Sequence, residues 1–266
     1  MPPGMAPDWP LWTPLAVIAL GLAAGVAATA VLAAVLEASG VDVGTDDPAF
    51  NSAATLVLDL AFVGATIGVL AMVSRPRAWQ LGFRRGVPLK PALGFAFMAI
   101  LAFFIFAISY QAIFRPENPQ DIVQDLGADR STALLIAGAL LVVVVAPVAE
   151  EVFFRGFLFR VLRLRMAFWL AATIDGVLFG LVHGALVIIP VLAFLGFVLC
   201  WAYERSGTLL VPIALHALNN ALAYGVTTEE AAPALAAGVT MLAACIALPA
   251  LLPHRTPSPL PFRQSA

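Results

Sequence analysis

Runs of mostly apolar residues recur along the whole chain, near 11–36, 53–73, 91–114, 132–154, 167–188, 190–203, 208–225 and 233–252. A helix needs about 20 such residues to cross the roughly 30 Å hydrocarbon core of a bilayer. Lipid offers no water to satisfy backbone N–H and C=O groups, so a spanning segment must be a helix or part of a closed barrel. Barrel strands would alternate in polarity over about 10 residues; these runs are longer and uniformly apolar. The expected fold is therefore all-α, a polytopic transmembrane bundle of about eight helices, with residues 1–252 forming one domain. Composition agrees. The chain is 62% hydrophobic and 11% charged, against about 45–50% and about 25% in soluble domains. The run at 190–203 is the shortest, and Pro190 and Gly207 are placed to open and close it.

The connectors alternate in charge. Arg75, Arg77, Arg84, Arg85 and Lys90 fall in 74–90, and Arg155, Arg160, Arg163 and Arg165 in 155–165, read here as a connecting stretch. Glu37, Asp42, Asp46 and Asp47 make the 37–50 connector acidic, and 115–130 is mainly acidic too. The excess of Lys and Arg on cytoplasmic loops then places 74–90 and 155–165 in the cytoplasm, with both termini on that side of the plasma (cell inner) membrane. Residues 1–10 lack a basic leader, so the first run reads as a span and not as a cleaved signal. Trp9 and Trp12 read as interfacial anchors. The proline-rich stretch 253–266, with His254, Arg255 and Arg263, reads as a disordered tail. A formal charge of -2 without a basic stripe argues against nucleic acid as a partner. Cys200 and Cys245 sit in apolar runs and read as small buried hydrophobes, not a disulfide.

Three polar clusters interrupt this pattern: Glu150, Glu151 and Arg155; Phe179 and His183; His216, Asn219 and Asn220. An ionisable group at the centre of a span costs about 2.5–3.5 kcal/mol on insertion scales, so such groups are expected to face one another in a protein-lined space. Two spacings support convergence. The midpoint of positions 150 and 183 falls at Arg165–Met166, the expected turn of a helical hairpin. With a uniform rise of about 1.5 Å per residue, Glu150 and His183 come to equal depth. Gly176, Gly180 and Gly184 form a small-residue seam on which another helix can pack closely, and His183 lies on the same side. Asn220 follows His216 by four residues and shares its face; Asn219 is turned about 100° away. Pro147 and Pro212 are expected to kink their helices, and Pro147 to free a carbonyl upstream. Arg155, four residues after Glu151, can pair with it, which leaves Glu150 as the candidate base. Asp59 and Asp175 are further acids within apolar runs, read as structural or at the mouth of a cavity.

The three clusters, in this order, resemble the signature of the CPBP family of intramembrane proteases, which takes in CAAX prenyl endopeptidases and bacteriocin-processing or self-immunity proteins. The family pattern is E-E-x-x-x-R, F-x-x-x-H and H-x-x-x-N, matched here by Glu150, Glu151 and Arg155, by Phe179 and His183, and by His216 and Asn220. Gly156 and the HALNNALA run are typical of bacterial members, and the resemblance covers roughly 130–225, the expected catalytic core. It implies an intramembrane endopeptidase acting on membrane-presented peptides, prenylated ones among the candidates. It further implies that Glu150 activates water beside His183 while His216 and Asn220 steady the oxyanion. No cofactor is required on this reading. Zinc held by Glu150, His183 and His216 is the alternative, since two histidines and a glutamate form a known catalytic zinc set. Peptide or protein substrate and membrane lipid are the expected partners. The bland readings stand beside these: an ion pair for Glu151 and Arg155, packing for Phe179 and His183, and a non-catalytic immunity protein, scaffold or transporter for the whole.

Overall fold

The computed structural model describes residues 9–41, 43–44, 47–74, 76–115, 126, 131–183, 186–228 and 230–252. Asp42, Asp46, Arg75, Gly184, nearly all of the acidic 115–130 connector and the 253–266 tail with His254, Arg255 and Arg263 lie outside them, so the readings placed there stay expectations. Among the described residues there are eight helical rods and no strand: α1 (Trp12–Ala38), α2 (Pro48–Val73), α3 (Leu89–Phe114), α4 (Thr132–Arg163), α5 (Phe168–Val182), α6 (Ile189–Ser206), α7 (Leu210–Thr227) and α8 (Ala231–Leu251, its last turn 3₁₀). Helix starts follow local chemistry. Asp47 accepts from Phe50 N at 2.8 Å with Pro48 behind it, and Ser131 accepts from Leu134 N at 3.2 Å. Gly207 closes α6 at φ 71°, a left-handed position that glycine takes without strain.

Six of the rods are long and apolar enough to cross a membrane: α1, α2, α3, α4, α6 and α8. This is a multi-pass membrane protein. The two that miss that standard are α5, which His183 caps at its C-terminus, and α7, which carries His216. At 15 residues, α5 reaches about 22 Å, short of the hydrocarbon thickness. Its end at Val182 also corrects the expected 167–188 run and puts His183 at the helix terminus.

The largest departure from expectation is in α4, which runs on to Arg163 where the sequence pattern ended it at 154. The arginines of 155–163 belong to the helix because each finds a protein partner. Arg155 pairs with Glu151, Arg160 donates to Tyr203 Oη at 3.1 Å, and Arg163 pairs with Glu204 at 2.9 Å. Two π-helical turns, Leu141–Val145 and Phe154–Leu158, bracket the glutamates. The first is the distortion expected of Pro147, whose missing N–H leaves an upstream carbonyl without its helical donor. Trp9 is a second correction. It is fully buried and donates to Ser74 Oγ at 3.0 Å, so it is a packing residue; Trp12 is exposed.

Glycines set how closely α5 and α6 approach. A Cβ on Gly176 would meet the Ala193 carbonyl and, at 2.9 Å, the Phe197 amide; one on Gly180 would meet the Ile189 carbonyl at 2.8 Å. These are backbone atoms that cannot swing aside. Gly176→Ala is therefore expected to lose about 1–3 kcal/mol. Gly94→Ala, on α3 with nothing within 4 Å of the new methyl, should gain about 0.5–1 kcal/mol from helix propensity. Detergent thermal melts of the two variants check this: Tm should move in opposite directions.

Candidate active site

Glu151, Arg155, Asp175 and His216 meet where α4, α5, α6 and α7 pack together, with Glu150 beside His216. Glu151 lies at the centre and is fully buried. Its Oε1 is 2.6 Å from Arg155 Nη1, one turn on along α4, and 3.0 Å from His216 Nδ1 on α7. Arg155, also fully buried, donates through Nη2 to the Gly196 carbonyl of α6 at 3.0 Å, and its Nε is 3.5 Å from Asp175 Oδ1 of α5. The Phe179 ring lies 4.6 Å from the guanidinium carbon, close enough for a cation–π contact, and edge-on to His216 with centroids 5.5 Å apart. Arg155 thus ties α4, α5 and α6 together, and Glu151 extends the network to α7 through His216.

Glu150 faces the other side of His216. Its Oε2 is 3.8 Å from His216 Nε2, too far for a hydrogen bond, and that oxygen is buried with no hydrogen-bond partner among the described residues. The Glu150 side chain is 22% exposed, whereas Glu151 and Arg155 are at 0% and His216 at 3%. Of the four, Glu150 is the group that opens outward. His216 donates from Nδ1 to the carboxylate, which leaves Nε2 directed at the Glu150 side.

His183, half-buried at the end of α5, has Nδ1 2.8 Å from the Phe179 carbonyl, one turn back. A carbonyl only accepts, so the proton sits on Nδ1 and Nε2 carries the lone pair. Its ring also packs on Phe179, centroids 4.9 Å apart, so Phe179 separates and orients both imidazoles. The imidazole that comes within 3.8 Å of Glu150 is that of His216.

Asn220 Nδ2 donates to the Val142 carbonyl at 2.9 Å, and its Oδ1 accepts from Asn219 Nδ2 at 3.3 Å. Val142 lies five residues before Pro147, so in a π-turn its carbonyl is the one a proline leaves without a donor. Asn220 supplies the missing hydrogen bond and keeps a second N–H for another acceptor.

Among the described residues, no group of three or more His, Cys, Asp and Glu side chains is arranged to hold a metal ion, so Glu150, His183 and His216 are not gathered into a ligand set. A cavity of about 510 Å³ lies on another face of α7, between α3 and α8, with an apolar lining that includes Phe97, Ile100, Leu215 and Leu218. The polar groups line no part of it.

Two further acids, Asp175 and Asp59, lie near the glutamates. Asp175 is fully buried, so it is not at a cavity mouth. Its Oδ1 touches Arg155 and accepts from Cys200 Sγ at 3.1 Å, which also makes Cys200 more than a packed hydrophobe. Its spacing was the available signal, eight residues before His183 and near the same face of α5. Asp59, half-buried on α2, keeps a buried Oδ2 without a hydrogen-bond partner and lies within electrostatic reach of Glu150.

Residues 132–222, which contain every one of these groups except Asp59, match the family described as type II CAAX prenyl endopeptidase Rce1-like. A 124-residue stretch is 33% identical to an Escherichia coli protein named "Uncharacterized 24.3 kDa protein", covering 45% of this chain and 56% of that one. A 120-residue stretch is 29% identical to the Bacillus subtilis (strain 168) protein named "Putative membrane peptidase YdiL", covering 45% of each. The chain spans about half the length of the curated relatives it matches. No solved structure matches it.

Proposed function

We propose, on the premise that residues 132–222 are a segment of the Rce1-like family, that this chain is an intramembrane endopeptidase cleaving membrane-presented peptides by a water molecule that Glu150 activates. The observation that carries this reading is the gap between Glu150 Oε2 and His216 Nε2. The two atoms face each other at 3.8 Å, and the carboxylate oxygen is buried without a donor. A buried acceptor left unpaired costs about 1–3 kcal/mol or more. A water donating to Glu150 satisfies it and is held where it can attack.

In the reaction, the water oxygen adds to the substrate carbonyl as its proton passes to Glu150. The C–N bond then breaks as Glu150 returns that proton to the leaving amine. Both imidazoles hold Nδ1 on a protein acceptor, so their Nε2 atoms serve as acceptors that orient water and amine. The remaining N–H of Asn220 is the group suited to steady the oxyanion, a contribution of about 2.7–4 kcal/mol per donor. Lipid-modified peptides are candidate substrates, because the site lies among spans. Both termini cytoplasmic is the orientation that the basic 74–90 connector favours, with Arg165 alone left in the second connector once Arg155, Arg160 and Arg163 belong to α4; the plasma membrane is the location proposed with it.

The test is incubation of purified protein with a peptide library in bilayers, with and without chelator, reading new termini by mass spectrometry. Cleavage that survives chelation supports the glutamate mechanism. Cleavage lost to chelator and restored by zinc moves the mechanism to the metal alternative. No cleavage, with protein shown to be folded, overturns the enzyme reading in favour of a non-catalytic role.

A further inference from the structure

Glu151 takes both of its charge-assisted hydrogen bonds on one oxygen. Oε1 receives Arg155 Nη1 and His216 Nδ1, while Oε2 is buried with no hydrogen-bond partner among the described residues. A guanidinium next to a carboxylate normally closes on both oxygens, because its forked N–H groups match that geometry. Arg155 does not close on both oxygens; its other contacts lie on the opposite side, where Nε meets Asp175 as an ion pair without a hydrogen bond. Asp175 Oδ1 lies 3.5 Å from its Nε, and the Gly196 carbonyl accepts from its Nη2 at 3.0 Å. Asp175 is in turn fixed by the Cys200 thiol at 3.1 Å, and both side chains are fully buried. The close approach of α5 and α6 at Gly176 and Gly196 brings these groups within reach.

We infer that Asp175 is a positioning residue of the proposed site. It draws Arg155 away from a two-oxygen grip on Glu151, and thereby leaves Glu151 Oε1 open to His216 Nδ1–H. His216 is then held with its proton on Nδ1 and with Nε2 facing Glu150. Without the Asp175 charge, the guanidinium has one carboxylate left to bind and turns onto both of its oxygens. His216 loses its acceptor, its ring rotates or its proton moves to Nε2, and the water seat beside Glu150 is lost. The chemical consequence rests on the hydrolase reading above; the effect on His216 does not.

Asp175→Asn keeps the shape and removes the charge. The chain holds three histidines, so a ¹⁵N-histidine spectrum is sparse, and the His216 signals are assigned by their loss in His216→Gln. The wild-type spectrum should show His216 protonated on Nδ1. Asp175→Asn should shift it toward Nε2 protonation, as Glu151→Gln does, and should lower kcat about 10²-fold with KM unchanged. If Asp175→Asn does not accumulate, Asp175→Ser, which removes the charge and leaves room for water, is read the same way. A lowered Tm with an unaltered His216 spectrum and unaltered kcat per folded molecule would mean a packing role and overturn the assignment. If the wild type cleaves nothing, the hydrolase reading falls, and the spectra still decide the role of Asp175.

Discussion

Glu150→Gln yields a folded, membrane-inserted protein whose peptide cleavage is at least about 10³-fold below wild type. The amide matches the carboxylate in shape and keeps an oxygen for hydrogen bonding, but it cannot take the proton of the attacking water; loss of a general base is worth about 10²–10⁴-fold. Folding should survive for a reason visible in the geometry. Glu150 is the outward-opening member of the cluster, and its Oε2 makes no hydrogen bond to the protein. The wild-type side chain therefore adds little stability, and a neutral amide relieves a buried charge. The measurement is kcat on the peptide found with the wild type, alongside Tm in the same detergent. Cleavage at the wild-type rate would remove Glu150 from the mechanism.

Arg155→Met has the largest expected effect on stability, a loss of about 3–5 kcal/mol that shows as poor accumulation or a sharply lower Tm. The cost does not come from the missing contacts alone. Glu151 and Asp175 are both fully buried, on different helices, and Arg155 is the cation paired with each of them. Removing it leaves two carboxylates facing each other in a water-poor interior. Adding Glu151→Gln and Asp175→Asn to Arg155→Met should therefore recover part of the loss, because the penalty lies in uncompensated charge. The triple variant should fold and remain inactive, since His216 no longer has its charged acceptor. A melt series of the single and triple variants checks the sign, and a triple variant less stable than the single one would contradict this account.

The helical bundle was legible because lipid leaves the backbone few choices, and runs such as 91–114 are long, apolar and bounded by charge. The site residues were legible as types in a pattern, since acids and imidazoles inside spans need one another. The end of α4 was misjudged because counting arginines treats each as solvent-seeking, while Arg155 and Arg160 find buried partners only after α5 and α6 have folded against α4. Trp9 was misjudged for the same reason, its burial being set by Ser74 and Phe157 far along the chain.

The chain order alone determined that the molecule is a membrane bundle and marked Glu150, Glu151, Arg155, His183, His216 and Asn220 as the candidate polar groups, because hydropathy and helical spacing are local properties. Which imidazole faces which carboxylate was decided by tertiary packing. A π-turn at Leu141–Val145 and the glycine contact between α5 and α6 set helix rotations and separations that no linear spacing encodes. They bring His216 to both glutamates and give Asp175 to Arg155. The physical reason is that hydrogen bonds at about 3 Å depend on ångström-scale shifts between rods, which arise only when the rods meet.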